Sequence, residues 1–477
     1  MHEGQPRFGI SLIAAISLVL FGCSSGPDYK RPDALADNAA PAFKESRDWK
    51  VATPGQADVN ERWWTGFADE MLNDLVAQSD KANQTLKQAQ AQYRQAQALV
   101  PAAQAAFTPT LGVSATEGRS LAFSQGAPSE GNAHTWAFLA GWEPDFWGRV
   151  GRSVEAAGDS AQASLSDLAA ARLTVRAALV NDYLQLRMDD RQLLMYDEVI
   201  TAYEKALKIT GSQFKLGVAT KSDTELANAT LQSTKALATD LRLSRAQLEH
   251  AIAVLVGKIP AEFSIPALPA DAPLPAELNV PAIVPSTLLE RRPDIAAAER
   301  RVAAANANIG VVASAWYPKL SLTASYGNAG PSLGNWFYAP YEAWAVGGAL
   351  AATLFDGGLR DAQNDQARAA FDAAAASYRQ TVLNGFQEVE DNLIARSQLQ
   401  KEIAFQDAAV RSSRAAERAI FSQYRAGTTL YTAVVTVQAN ALANERTALQ
   451  LRARSLASSV ALVKSIGGGW NAEALKP

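Results

Sequence analysis

QFKLG at positions 213–217 has a partner, QYRAG at 423–427, and the two lie 210 residues apart. Each copy closes a very long, Ala-rich segment with helical patterning and opens another. Glycine is the usual residue where a helix ends in a left-handed turn, because it has no Cβ to crowd that conformation. Both pentapeptides therefore read as sharp reversals at the tip of a long helical hairpin. A repeat of this period makes the chain two copies of one architectural unit.

Working outward from the first tip, a helical pattern runs back to Gly151. Val154, Ala161, Leu168 and Val175 recur every seventh residue, the spacing of coiled-coil-like packing. A returning helix covers Ser222 to Val256, with Leu241, Leu248 and Leu255 in the same register, and Gly257 ends it. The second copy repeats this. Its long helix runs from Leu359 to Tyr424 with Val382, Val389, Ile403 and Val410 in register, interrupted by Arg396. Its last helix carries Leu442, Leu449, Leu456 and Val463, and Gly467 ends it. A shorter helix precedes each long one, over 81–106 and 293–316, stopped by Pro109 and Pro318. Helices of about 25 and about 38 residues stacked end to end match the single long one, near 90–100 Å at about 1.5 Å per residue.

Between the short and the long helix the period changes to two. Leu111, Val113 and Ala115 alternate with Gly112, Ser114 and Thr116, and Trp136, Phe138, Ala140 and Trp142 form a second apolar face. A Gly/Ser-rich loop is expected over 118–133. In the second copy, Leu320, Leu322, Ala324 and Tyr326 make one face, followed by a Gly/aromatic loop over 327–341. Trp344, Val346, Gly348, Leu350, Ala352 and Leu354 make the next face. Four strands of about ten residues each have the length that crosses a bilayer when tilted. Strands in hydrocarbon must close into a barrel, since no edge can be left unpaired. Four strands cannot close, so an oligomer is required: two chains give eight strands and three give twelve. Spacing alone does not choose, although an eight-stranded barrel fills with its own side chains.

Residues 1–22 read as a signal peptide, with Arg7 as its basic segment and Ile10 to Phe21 as its apolar core. Leu20-Phe21-Gly22-Cys23 resembles the lipobox of bacterial lipoproteins. Cys23 is the one cysteine of the chain, so it is the expected lipidation (palmitate-type acyl) site and no intrachain disulfide can form. Ser24 rather than Asp follows it, which in such lipoproteins favours export to the outer membrane. The expected divisions are therefore a signal peptide (1–22), a lipidated linker (23–62) and a first repeat (63–257, strands about 108–145, tip about 215–221). A Pro-rich equatorial linker (258–285) follows, then a second repeat (286–467, strands about 318–356, tip about 425–431) and a tail (468–477). The equatorial linker holds seven Pro.

The chain has 477 residues, with 44 Lys and Arg against 48 Asp and Glu. That balance argues against nucleic acid as a partner, because phosphate binding needs a basic surface. Its three His and four Met are scattered, no pair has metal-ligand spacing, and no Gly-rich phosphate loop occurs. No catalytic residue, cofactor or metal is expected.

The residues carry a family resemblance over nearly the whole mature chain. GPDYKRP at 26–32 looks like the start of NodT-type outer membrane lipoproteins. LLERRPDIAAAERRVAAANANIG at 288–310, then WYPKLSL at 316–322, LFDGGLR at 354–360 and FQEVEDNL at 386–393, is similar to the TolC-type outer membrane factors. The resemblance implies a mainly α fold with a membrane β-barrel portion. Three chains would share a twelve-stranded barrel and a periplasmic α-barrel of long hairpins. It implies the passive exit duct of a tripartite efflux pump, working with a periplasmic adaptor and an inner-membrane RND-type transporter. It places adaptor docking at Leu216, Gly217, Val218, Ala219, Thr220, Ala426, Gly427, Thr428 and Thr429. It places a gate nearby, with candidates Lys215, Asp223, Arg425, Thr432 and Thr436. Asp223 matches a position that often rings the pore, and as a helix N-terminal acid it equally suits the macrodipole. Where the family often has Leu, Asp and Arg, this chain has Thr432, Thr436 and Ala439. A duct for type I protein secretion or for metal export shares the fold. A coiled-coil envelope protein with accessory hairpins is the other class, but it leaves the apolar strand face and the lipobox unexplained.

Overall fold

The computed structural model describes residues 25–33, 44, 61–124, 127–278, 291–335 and 338–470. The expected signal peptide, Cys23 and most of the expected 23–62 linker lie outside the described residues, as does the end of the tail. The chain divides into two compact units. One comprises residues 1–34, 92–165 and 297–379; the other comprises 35–91, 166–296 and 380–477.

The element order repeats. The first copy runs α1 (Glu70–Ala82), α2 (Gln84–Gln104), β1 (Thr110–Ser124), β2 (Ala127–Trp142), α3 (Arg149–Lys215) and α4 (Lys221–Leu255). The second runs α5 (Pro293–Ala313), β3 (Lys319–Gly330), β4 (Glu342–Ala351), α6 (Leu359–Arg425) and α7 (Tyr431–Ser465). The paired long helices have 67 residues each and the returning helices 35 each. Every boundary of α3 and α4 recurs 210 positions later in α6 and α7, without slip. Each 67-residue helix is about 100 Å long at about 1.5 Å per residue.

The four hairpin helices end in one way. Gly217, Gly257, Gly427 and Gly467 have φ of 75°, 71°, 76° and 92°, the left-handed region that L side chains resist. At Gly217 the Val218 amide donates to Gln213 O at 2.8 Å and the Gly217 amide to Phe214 O at 3.0 Å. These two bonds satisfy the last free carbonyls of the helix. The same pair forms at Gly257, Gly427 and Gly467.

In the first unit, β1 to β4 form one antiparallel meander in chain order. Its strand limits differ from expectation at three places, one of them β3, which runs to Gly330 into the Gly/aromatic loop expected over 327–341. The Gly/Ser-rich stretch 118–133 is largely strand, pairing from Gly118 with Ala133 out to Ser124 with Ala127. The first two strands therefore have 15 and 16 residues, against 12 and 10 for the others. Weak β propensity was overridden by cross-strand pairing, including Arg119 against Glu130 at 2.5 Å. β4 also ends at Ala351, before the expected Leu354.

A strap formed by residues 25–29 lies across the helices of this unit. The Ser25 amide donates to Trp147 O at 3.1 Å, and its hydroxyl donates to Gly310 O at 2.9 Å. A Cβ on Gly26 would stand 2.4 Å from Gly310 Cα, so the pair must remain side-chain-free. Arg152 binds Asp28 at 3.1 Å, and Tyr29 donates to Glu299 at 2.5 Å. Beside them Asp159 faces Arg300 at 3.2 Å. Burial pushes the Asp159 carboxyl up to about 6, against the pull of Arg300.

The second unit holds the main core. Trp63, Trp64, Leu72, Val76, Leu179, Val180, Tyr183, Ile252 and Val460 belong to one buried cluster. Of the period-seven residues, Leu168, Val175, Val382, Val389, Leu456 and Val463 are buried. Leu241, Leu248 and Leu442 are only half-buried in the single chain. Pro removes backbone donors and ladder pairing from the linker, so its carbonyls need outside partners. Arginines supply them. Arg245 reaches Ile265 O at 2.8 Å, Arg187 reaches Pro266 O at 2.8 Å, and Arg191 reaches Ala272 O at 2.6 Å. Arg396, which interrupts the α6 register, reaches Leu278 O at 2.9 Å.

Candidate functional site

Two features are the candidates for function: the open sheet of the first unit and the paired hairpin tips of the second.

In the sheet, Val113, Phe138, Tyr326 and Trp344 stand in one cross-strand row, and Leu111, Ala140, Ala324 and Val346 in another. Side chains alternate across a strand, so both rows share a face. That face is apolar and exposed: Val113 is 70% exposed, Trp344 73% and Val346 75%. The opposite face carries Thr110, Gly112, Ser114, Thr116, Thr135, Thr323, Ser325 and Gly347, which are small or polar. Thr116 and Thr135 hydrogen-bond across it. One face thus suits hydrocarbon and the other water. β1 and β4 are the terminal strands of the meander, and among the described residues each has one edge without a partner strand. At the base of the hairpins, Trp147 stacks on Tyr317 at 4.8 Å and donates to Pro318 O at 2.7 Å. The same end of the second copy is closed by Arg360 over the Trp316 ring at 4.5 Å and against Asp356 at 2.5 Å.

The tips place Leu216 to Thr220 and Ala426 to Thr429 in the two glycine turns. Leu216 and Val218 are 79% and 75% exposed. Lys215 and Arg425 occupy the last turns of α3 and α6, where a cation favours the negative helix end. The two copies then diverge. α4 opens with a reciprocal cap: the Asp223 amide donates to Thr220 Oγ1 at 3.2 Å, and the Thr220 amide donates to Asp223 Oδ2 at 2.9 Å. α7 opens at Leu430, 76% exposed, with no side-chain cap. What holds it is Tyr431, buried with Val434 and Ala227 and bordered by Leu207, Ile420 and Tyr424. Tyr424 lies 5.4 Å from the Tyr431 ring and donates to Gln213 Oε1 at 2.7 Å, joining the two hairpins. Burial raises the Tyr431 phenol above its usual range.

The structure brings Asp223 to Thr220. Among the described residues no ion pair joins Asp223 to Lys215 or Arg425. Thr432 and Thr436 are exposed on α7, and the Thr436 hydroxyl bonds back to Thr432 O at 2.9 Å. Sequence reasoning missed Gln213, Tyr424 and Tyr431. Comparing the copies at the 210-residue offset would have found two of them. Tyr424 stands where the first copy has Phe214, and Tyr431 where it has Lys221.

Farther from the tips, cross-helix ion pairs tie each hairpin. Asp197 meets Arg242 at 3.1 Å in the first and Asp407 meets Arg452 at 2.8 Å in the second, at equivalent positions. A groove of about 390 Å³ lies among α3, α4 and α7, bordered by Tyr196, Tyr203, Leu237, Leu442 and Arg446.

Known proteins share this arrangement. The family profile described as outer membrane efflux protein matches residues 75–258 and 284–468. The toluene efflux pump outer membrane protein TtgF of Pseudomonas putida is 30% identical over 475 residues, spanning 96% of this chain and 97% of that protein. The outer membrane protein OprJ of Pseudomonas aeruginosa is 29% identical over 473 residues, spanning 98% and 97%. The solved structure of the outer-membrane channel OprN superposes with a TM-score of 0.86 at 29% identity, covering 94% of this chain and 100% of that one.

Proposed function

This chain belongs to the outer membrane efflux protein family, and from that premise we propose how it is assembled and what it serves. It is an outer membrane channel of an efflux system, with a periplasmic extension. Three copies join β4 of one to β1 of the next and close a barrel of twelve strands. The observation that carries this is the open meander with an apolar outer face and an unpartnered edge on each terminal strand. An exposed edge in hydrocarbon would leave a row of amides and carbonyls unsatisfied, so closure is obligatory. Two copies would give a barrel filled by its own side chains, whereas three leave a passage.

Cys23 carries the lipid anchor, and the strap from Ser25 holds it to the first unit. The exposed turns at Leu216–Thr220 and Ala426–Thr429 receive a periplasmic adaptor, which links the duct to an inner-membrane transporter of the RND type. The duct is passive. Its cargo is small, drug-like or apolar organic molecules, in keeping with the toluene efflux pump for which TtgF is named. The residues around Lys215, Asp223, Arg425, Thr432 and Thr436 line the periplasmic entrance. Asp223 there serves first as the helix cap.

Chemical cross-linking of outer-membrane extracts tests the assembly. A ladder ending at the trimer is expected, and a monomeric, water-soluble product refutes it. Cargo is tested by drug accumulation in a deletion strain beside its secreted proteins. Raised accumulation with unchanged secretion is expected, and the reverse pattern assigns the duct to protein secretion.

A further inference from the structure

A duplicated hairpin faces a folding problem. α3 and α6 have the same length, as do α4 and α7, so each long helix has two possible partners. One cross-helix contact resists this ambiguity. In the first hairpin Glu204 on α3 meets Lys235 on α4, with Lys235 Nζ 2.8 Å from Glu204 Oε1. The equivalent positions 210 residues later are Arg414 on α6 and Glu445 on α7, also an ion pair. The contact is kept and its polarity is reversed. The acid sits on the outgoing helix in the first copy and on the returning helix in the second.

The neighbouring contact has not reversed. Asp197 with Arg242 and Asp407 with Arg452 keep the acid on the outgoing helix in both copies. If the hairpins exchanged partners, these pairs would re-form: Asp197 with Arg452, and Asp407 with Arg242. The reversed contact would not. Glu204 would face Glu445, and Arg414 would face Lys235, placing like charges together on both mispaired hairpins. An exchange would also cost Asp190 one of its two arginines. Asp190 is 3% exposed and takes Arg245 at 2.6 Å, while the second-copy positions of this pair hold Gln400 and Ser455.

We infer that the opposed polarity of Glu204–Lys235 and Arg414–Glu445 is a partner-selecting device: it directs α3 to α4 and α6 to α7, and disfavours exchange between hairpins within one chain or between copies. Exposed ion pairs add little stability. As selectors they act through the difference between right and wrong partners, where repulsion in the wrong pairing adds to attraction in the right one. This holds whatever the assembled duct carries.

The test is a four-arm charge cycle on the full chain, refolded from denaturant into detergent. The arms are wild type, E204K/K235E, R414E/E445K and the combination of all four substitutions. In each single-hairpin reversal both cross-helix contacts remain opposite in charge, yet the two hairpins now share one polarity, so exchanged pairing is satisfied too. The combination restores opposed polarity. The readout is the fraction recovered in protease-resistant form, with the thermal midpoint of that fraction measured alongside. Each single-hairpin reversal is expected to lower recovery threefold or more, with the combined variant returning towards wild type. Arg414 also pairs with Glu417 at 2.8 Å, so the R414E arm sets two carboxylates side by side on α6, and its folded midpoint reports that local cost separately. Equal recovery in all four arms, or a combined loss equal to the sum of the separate ones, overturns the inference.

Discussion

Four glycines with nearly the same backbone conformation have very different surroundings, and their replacement by alanine separates structure from function. At Gly217 and Gly427 a Cβ would meet nothing within 4 Å. At Gly257 it would stand 2.7 Å from Ala82 O, and at Gly467 1.8 Å from Arg291 O. All four have positive φ, so each alanine variant bears the left-handed penalty of roughly 1–2 kcal/mol. Only the last two add a collision with backbone. Against an ordinary contact of about 3.5 Å, the Arg291 carbonyl must retreat by roughly 1.5 Å or more. That carbonyl belongs to the turn entering α5, beside Arg292, which donates to Ser465 O at 3.1 Å and to Glu388 at 2.7 Å. Overpacking of this kind costs a further ~1–3 kcal/mol, so G467A should lose roughly 2–5 kcal/mol and G257A somewhat less. G217A and G427A should lose roughly 1–2 kcal/mol each. Chemical denaturation of the detergent-solubilised protein, followed by circular dichroism, gives the four values. Bulky replacements at 217 and 427 should abolish efflux while leaving the trimer intact, because these exposed turns are the proposed docking surface for the adaptor. Equal destabilisation at all four positions would refute the packing argument, and loss of the trimer from a tip substitution would make the tip glycines structural only.

Two further outcomes follow from local electrostatics and capping. Asp159 takes up its proton near pH 6 when folded and near 3.8 when unfolded, so the folded state binds more protons between these values. Its contribution therefore stabilises on acidification through 6, and its ionisation opposes folding above that pH. D159N should raise the unfolding midpoint at pH 7.5, keep only about half of that advantage at pH 5 and lose the rest as the pH falls to 3.8; a gain independent of pH would show that the charge is not the cause. At the tips, T220A should cost about 1 kcal/mol by removing the cap of α4, while L430S should add up to ~1 kcal/mol by creating one on α7. Native-state hydrogen exchange at the first turn of each helix reads both, and a loss in L430S would mean that the exposed Leu430 is needed where it stands.

The repeat, the hairpins, the membrane strands and the family resemblance were legible in the sequence because each rests on local rules. Heptad spacing, alternation along a strand, glycine at a left-handed turn and proline after a helix all act over a few residues, and a 210-residue period makes them recognisable twice. Where local rules weaken, the reading shortened the structure. Residues 118–133 have a loop-like composition, yet Gly118 to Ser124 and Ala127 to Ala133 are strand, because a partner at each position overrides low propensity. The candidate site divides in the same way. Sequence marked the turns at Gly217 and Gly427, and Asp223 beyond them. The Thr220–Asp223 cap is a local i,i+3 motif, whereas tertiary structure alone brought Tyr424 of one hairpin to Gln213 of the other and buried Tyr431 where α7 has no cap. It alone joined Glu204 to Lys235 and Arg414 to Glu445. Periodicity states which residues share a face. Which residue on another element meets that face is decided only when distant segments pack, and there the two copies of this chain differ.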